Sequence, residues 1–292
     1  MGKERTMGRG RGGGEGEGGG TKLSSSAPGR GGGRRGNRAE SRRRALTFEQ
    51  NKRIINYSSS RDWRGILGYA EDNFATFNDV NWATMFSRLG RMRREAGSIA
   101  DDGVFITVTR AFESKVEDEG FHWIGVRQLA NIVHGYESIG VAGRSAFFER
   151  VAADAAGAER IAKGGNCQEI SNLLWAFAKS GTEAPALCSF VDNAQVAEKF
   201  VREGTSQAFA NVLWAMARLR HEPTAFANAI AKKDFAREMV RNGSPQSISI
   251  TVWAMAKLGI KAPALVSEID QMDASDRIVA DHEPQNISNL LW

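Results

Sequence analysis

Four tryptophans at equal spacing constrain the fold of this chain more than any other feature. Trp175, Trp214, Trp253 and Trp292 follow one another at intervals of 39 residues. Each lies in a similar phrase, and the phrases are QEISNLLWAFAKSG, QAFANVLWAMARLR, QSISITVWAMAKLG and QNISNLLW. This period is longer than that of tetratricopeptide units and close to the armadillo and HEAT lengths. The sequence therefore predicts an array of helical repeats.

The segment between successive phrases predicts a second helix in each unit. Apolar residues recur there at the same interval, as at Leu187, Phe226 and Leu265. A proline lies near the start of each segment, where its missing N–H interrupts no helical hydrogen bond. Gly204 and Gly243 separate the segment from the next phrase. The prediction is an all-α, right-handed α-solenoid of helix-turn-helix repeats.

The chain divides into three predicted parts. Residues 1–44 contain fifteen glycines and ten arginines, and a composition that cannot bury a core predicts a disordered tail. Residues 45–141 contain two divergent helical repeats, NWATMFSRLG with Thr84 at the Trp position and RQLANIVHGYESIG with His134 there. Residues 142–292 contain the regular repeats, of which the last is truncated.

The positive charge of the chain is concentrated in the predicted tail. Residues 1–44 carry twelve Lys and Arg against four Glu, a net charge of +8, whereas the whole chain is +5, which leaves −3 for the remainder. Arg-Gly-Gly at Arg11 and Arg30 is typical of segments that bind RNA loosely, and a poorly structured leader is the alternative. Any nucleic-acid binding by the repeats must depend on where their charges lie.

No signature of catalysis, metal binding or a membrane span occurs. The two cysteines and four histidines have no metal-ligand spacing, and two cysteines make no disulfide framework. We find no phosphate loop, no paired-carboxylate signature, no Ser-His-Asp pattern and no apolar stretch near the length of a membrane helix. The prediction is a protein that is not an enzyme and needs no cofactor. Because Trp292 ends the chain in mid-helix, where solenoids carry polar caps, we expect a fragment of something longer.

Helical periodicity separates polar from apolar residues in the Trp-containing helix. With about 100° of rotation per residue, one narrow stripe holds Gln168, Asn172, Trp175 and Lys179. The opposite stripe is aliphatic, and small residues lie on the flanks between the two stripes. Small flanks predict that the Trp-containing helices of successive units pack side by side. The polar stripe then forms a free surface.

This surface has the chemistry to bind single-stranded nucleic acid. An indole is a stacking platform worth about 1–3 kcal/mol per base, an amide can bond to a base edge, and a cation can meet a phosphate. The predicted RNA-binding residues are Gln168, Asn172, Trp175, Lys179, Gln207, Asn211, Trp214, Arg218, Gln246, Trp253, Lys257, Gln285 and Asn289. The alternative is a structural role: buried indoles, amides that form a ladder or cap turns, and solvated cations near helix ends.

The phrases PQNISNLLW, QEISNLLWAFAKSG and QSISITVWAMAKLG resemble the octotricopeptide repeat family, and the related FAST-kinase-like proteins that end in a RAP domain. The similarity extends from about Asp62 to Trp292. It implies sequence-guided binding of single-stranded RNA in the mitochondrial matrix or chloroplast stroma. It also implies work on the processing, stability or translation of transcripts, ribosomal RNA included, with other RNA-processing proteins as partners. Two departures are the 39-residue spacing and the lack of a RAP domain.

The competing class is a protein-binding scaffold of the armadillo type, since such arrays bind extended peptides through similar Trp and Asn ladders. The charge of −3 outside the tail favours this class. The charge of the Trp surface separates the two hypotheses: a positive surface favours RNA, and a neutral or acidic one favours a basic peptide.

Overall fold

A computed structural model describes residues 32–271, 274–280, 283–285 and 288. The chain divides into two units, Met1–Arg43 and Arg44–Trp292. The described residues form seventeen α-helices and three 3₁₀ helices, and they include no strand. The all-α prediction is confirmed for this part of the chain. Most of the predicted tail, together with Asn289 and Trp292, lies outside the described residues.

Eight α-helices precede the regular phrases. They are α1 (Gly32–Ser59), α2 (Trp63–Asn73), α3 (Asp79–Gly90), α4 (Ala96–Ala100), α5 (Gly103–Glu119), α6 (Val126–Ile139), α7 (Ala146–Ala153) and α8 (Ala155–Gly164). The 3₁₀ helices are Phe74–Thr76, Arg93–Glu95 and Ala142–Arg144. Helix α1 begins inside the segment predicted to be a disordered tail, so residues 32–44 of that segment are described as helical.

Nine α-helices follow. They are α9 (Cys167–Ser180), α10 (Pro185–Val191), α11 (Ala194–Glu203), α12 (Ser206–Arg218), α13 (Thr224–Ile230), α14 (Lys233–Asn242), α15 (Pro245–Lys257), α16 (Pro263–Gln271) and α17 (Ala274–Ala280). The helices that carry the regularly spaced tryptophans are α9, α12 and α15, which we call the Trp-containing helices; their first residues lie 39 positions apart.

Two helices, rather than the single one predicted, connect α9 to α12. The chain breaks at Asp192 and Asn193, where the Asn193 side chain accepts a hydrogen bond from the N–H of Val196 and caps α11. The Asp192 carboxylate accepts from the N–H groups of Thr224 and Ala225 at the start of α13. Short polar side chains that bond to backbone N–H groups favour helix ends over helix interiors. The prediction of one upstream helix per unit is therefore wrong.

The Trp-containing helices pack side by side, as their small flanks predict. Helix α9 lies against α12 and α12 against α15, and the same packing joins α6 to α9 and α3 to α6. Ser171, Ala176 and Ala178 are buried on the flanks of α9. Helix α6 approaches α3 closely, because a Cβ on Gly135 would lie 2.6 Å from the carbonyl oxygen of Phe86 on α3. Small side chains thus permit the close contact between neighbouring helices.

The aliphatic stripe of α9 lies in the core. The side chains of this stripe are fully buried, and they are Ile170, Leu173, Leu174 and Phe177. On α12, Leu213 is equally buried. Burial of one such side chain contributes about 1.5–3 kcal/mol. The predicted inward face is therefore confirmed, and it fixes which face of each Trp-containing helix points outward.

Candidate functional site

Three equivalent caps start the helices that carry the predicted site. Asn166, Thr205 and Ser244 immediately precede α9, α12 and α15, and each side chain accepts a hydrogen bond from the N–H group three residues later. A cap fixes where the first helical turn begins, so the following positions share one rotational setting. Capping was the structural alternative for the Gln and Asn side chains of the predicted site. At these helix starts the caps are instead Asn166, Thr205 and Ser244.

The predicted site positions have the same exposure on all three helices. The Gln position is exposed, the next two positions are half-buried and the cation position is exposed. The residues are Gln168, Asn172, Trp175 and Lys179 on α9, Gln207, Asn211, Trp214 and Arg218 on α12, and Gln246, Ile250, Trp253 and Lys257 on α15. We call these twelve residues the indole face. The structure brings them together on three adjacent helices. Gln285 is also exposed, whereas Asn289 lies outside the described residues.

The indoles have both a packed and an open side. Trp175, Trp214 and Trp253 are half-buried and pack against the hydrophobic core. One side of each ring therefore has a structural role in packing, which was the alternative to ligand contact. Part of the surface of each indole is exposed to solvent.

The amides of the indole face are unpaired within the described part of the chain. The side chains of Gln168, Asn172, Gln207, Asn211 and Gln246 form no hydrogen bond with any described residue. A ladder of amides between neighbouring helices, the structural alternative, is absent from this set. Each amide keeps one acceptor oxygen and two N–H donors for another molecule.

Two open cavities follow the amides along the indole face. The first, of about 400 Å³, lies between the N-terminal halves of α9 and α12 and is lined by residues that include Gln168, Asn172, Gln207, Asn211 and Glu203. The second, of about 330 Å³, reaches across α9, α12 and α15, and its lining includes His134, Asn172, Trp175, Gln207, Asn211, Gln246 and Ile250. Both volumes fall at the lower end of the range typical of small-molecule sites.

Trp175 and Lys179 already have neighbours from α6. The Lys179 ammonium lies 4.7 Å from the centre of the Trp175 ring. The same ammonium forms an ion pair of 2.8 Å with the carboxylate of Glu137, whose side chain is only 7% exposed. A cation held by a nearly buried carboxylate presents little net charge to an approaching phosphate.

In the α12 set, no described carboxylate forms an ion pair with the cation. Arg218 lies with its guanidinium carbon 5.5 Å from the centre of the Trp214 ring, and it forms no ion pair with the described residues. In the alignment that pairs Asn131 with Asn172, the place of Glu137 on α6 is taken by Ala178 on α9. Because alanine cannot pair with a cation, Arg218 keeps its full charge.

The positive end of the indole face lies at the C-terminal ends of α12 and α15. A third cavity, of about 490 Å³, is lined there by Arg218, Arg220, Trp253 and Lys257, and Glu183 is the one carboxylate among its described lining residues. The sequence prediction missed Arg220. The residue could have been noticed because the phrase QAFANVLWAMARLR ends in Arg where two other phrases end in Gly.

The described residues contain no cluster of His, Cys, Asp or Glu that could hold a metal ion. Burial, with help from Asp192, raises the pKa of the Cys188 thiol to about 12, and burial also raises the pKa of Cys167. None of the helices in the described ranges combines the length and the apolar character needed to cross a membrane.

Comparison with known proteins adds no assignment. No protein-family model matches the sequence, and no curated protein matches it. The indole face itself is therefore the basis for assigning a function.

Proposed function

We propose that this chain binds single-stranded RNA on its indole face and is not an enzyme. The observation that carries the proposal is the set of an unpaired amide, a half-exposed indole and an exposed cation on α12, with related sets on α9 and α15. Stacking on aromatic rings and hydrogen bonding to base edges are the means by which proteins read unpaired RNA. The three contacts are available together on one surface.

We further infer a right-handed α-solenoid in which this surface continues from one repeat of about 39 residues to the next. The side-by-side packing of α9, α12 and α15 supports it, because equivalent residues then recur along one line. Solenoids use such extended surfaces for binding. Each repeat would meet the RNA at a successive position, as in other helical repeats that read one base per unit.

The local charge favours RNA over a basic peptide. The −3 net charge outside residues 1–44 does not describe the C-terminal end of the indole face, where Arg218, Arg220 and Lys257 outnumber Glu183. A basic peptide would meet repulsion there, whereas a phosphate would meet attraction.

The resemblance to octotricopeptide repeat proteins extends the proposal to a cellular role. We propose that the protein acts in the mitochondrial matrix or chloroplast stroma on the processing, stability or translation of transcripts, including ribosomal RNA. Other RNA-processing proteins are the expected partners. Fractionation of organelles, followed by sequencing of RNA crosslinked to the protein, tests this role.

The direct test compares Asn211→Ala with Arg218→Ala. A random RNA pool is selected against each protein, and the affinity of the enriched sequence is measured over a range of salt concentrations. Asn211→Ala should change the preferred base at one position, because an amide reads a base edge. Arg218→Ala should weaken binding to all sequences and lower the salt slope by about 0.7, the value for one contact to a single strand.

Two matched variants control for general effects. Asn228→Ala removes an exposed amide on α13, and Arg241→Gln removes an exposed cation on α14; neither lies on the indole face. All measurements are repeated without residues 1–31, because Arg-Gly-Gly is typical of segments that bind RNA by charge. If both test variants bind RNA like the parent, the proposal fails, and a basic peptide becomes the ligand to test.

A further inference from the structure

Arg220 has a left-handed backbone conformation, and the equivalent positions of the other two repeats have glycine in that conformation. Its φ is 57°, while Gly181 after α9 has a φ of 78° and Gly259 after α15 has a φ of 68°. The three residues are spaced by 39 positions. Helices commonly end in a left-handed residue, and glycine is favoured there because it has no Cβ. Arginine at this position therefore has an unfavourable backbone conformation, and glycine would adopt the same conformation without the steric cost.

The side chain of Arg220 has a location that could offset this cost. It is exposed and contributes to the cavity of about 490 Å³ at the C-terminal ends of α12 and α15. Neither Arg220 nor Arg218 forms an ion pair with a described residue. Strained residues that persist are concentrated at functional sites, and here the strained residue brings a second guanidinium beside Trp253.

We propose that Arg220, with Arg218 and Lys257, binds a backbone phosphate of single-stranded RNA in this cavity, beside the indole of Trp253. The inference rests on the proposed function and adds a phosphate site that the 39-residue pattern does not contain. The guanidinium is a planar fork of donors that suits phosphate oxygens.

The local electrostatics explain why one cation per helix is too few here. Helix C-termini carry partial negative charge, so the ends of α12 and α15 repel a phosphate. Glu183 adds a further negative charge to the cavity lining. Arg218 and Lys257, the cations predicted from the repeated phrase, are opposed by these groups. Arg220 adds the charge that makes the cavity attractive to an anion.

Arg220→Gly is the informative variant, because it should move stability and binding in opposite directions. Removal of the strained conformation should raise the melting temperature of the full chain by about 2–4 °C, the shift expected for a cap of this kind in a domain of this size. Loss of one phosphate contact should lower the affinity for a single-stranded RNA oligonucleotide about fivefold at 0.1 M salt, and the salt slope by about 0.7.

Arg220→Gln separates charge from backbone. It keeps the left-handed residue but removes the cation, so it should lose the same affinity without the gain in melting temperature. Arg220→Lys should retain most of the affinity, and Arg241→Gln on α14 should bind like the parent. All variants are compared in the full chain, where the N-terminal residues contribute equally to each.

The outcomes distinguish the two proposals. If the parent binds RNA, and Arg220→Gly and Arg220→Gln bind it equally well at every salt concentration, the Arg220 site is overturned, while RNA binding by the chain stands and the Asn211 and Arg218 variants without residues 1–31 decide whether the indole face carries it. A parent without RNA affinity overturns the proposed function. If Arg241→Gln loses as much affinity as Arg220→Gln, the loss reflects the overall charge of the chain. That result would also overturn the site.

Discussion

The imidazole of His134 lies stacked on the indole of Trp175, with ring centres 5.3 Å apart and an angle of 23° between the planes. His134 belongs to α6 and Trp175 to α9, and the repeated phrases align the two at one position. The side chains at this position of α6 and α9 therefore meet ring to ring. The contact also covers ring surface that an RNA base would need.

This contact predicts that the indoles contribute unequally to RNA binding. No other aromatic ring among the described residues stacks on Trp214. Trp214→Leu should therefore weaken binding of a single-stranded RNA more than Trp175→Leu, with a loss of about 1–3 kcal/mol for a stacked base. Fluorescence titration of each variant with the same oligonucleotide measures the difference. Equal losses would contradict this order.

Glu137 should restrain the contribution of Lys179 to RNA binding. In the parent, Lys179→Ala should change affinity little, because the ammonium is paired with the Glu137 carboxylate at 2.8 Å. In the Glu137→Gln background the same change should lower affinity about fivefold at 0.1 M salt, the effect of one released phosphate contact. The four proteins form a double-mutant cycle.

The control for Glu137→Gln is Glu117→Gln. Glu117 pairs with Arg150 on an exposed surface, so its replacement alters the net charge equally without releasing Lys179. Additive effects of the Glu137 and Lys179 changes would show that the ion pair leaves RNA binding unaffected.

The inward stripe of α12 predicts a large loss of stability on truncation. Leu213 is fully buried, so Leu213→Ala should lower the free energy of unfolding by about 2–5 kcal/mol through the volume removed. Urea unfolding followed by far-UV circular dichroism measures the change. Gln207→Ala, on the exposed face of the same helix, should stay within about 0.5 kcal/mol. A loss below 1 kcal/mol for Leu213→Ala would mean that this stripe tolerates a cavity.

The raised pKa of the buried Cys188 thiol leads us to expect a loss of stability in alkaline solution. Its pKa rises from 9.0 to about 12 in the folded state, so between these pH values the folded chain binds more protons than the unfolded chain. Stability from this thiol is complete below pH 9 and decreases above it, by up to about 1.4 kcal/mol per pH unit.

The matched variant for this prediction is Cys188→Ala, which removes the thiol. The difference in unfolding free energy between the parent and the variant should be constant below pH 9. Above pH 9 the parent should lose stability relative to the variant. Other titrating groups are common to both proteins and cancel. A difference that does not change with pH up to 11 would contradict the burial of the thiol.

The sequence alone was enough to predict which face of each Trp-containing helix is buried. Rotation of about 100° per residue separates Leu173 and Leu174 from Asn172 and Trp175, and the small side chains Ser171 and Ala178 predict the close helix contacts. These properties depend on residues within one helix, so local spacing is sufficient to derive them.

The tertiary structure decided which neighbours each exposed residue has. Glu137 lies beside Lys179, His134 beside Trp175, and Arg220 within the cavity shared with Lys257, although long stretches of sequence separate the members of each pair. The break between α10 and α11 likewise includes a distant contact, the bonds of Asp192 to the start of α13. Contacts between helices depend on how the helices pack, and packing distances do not follow from the period of any single helix.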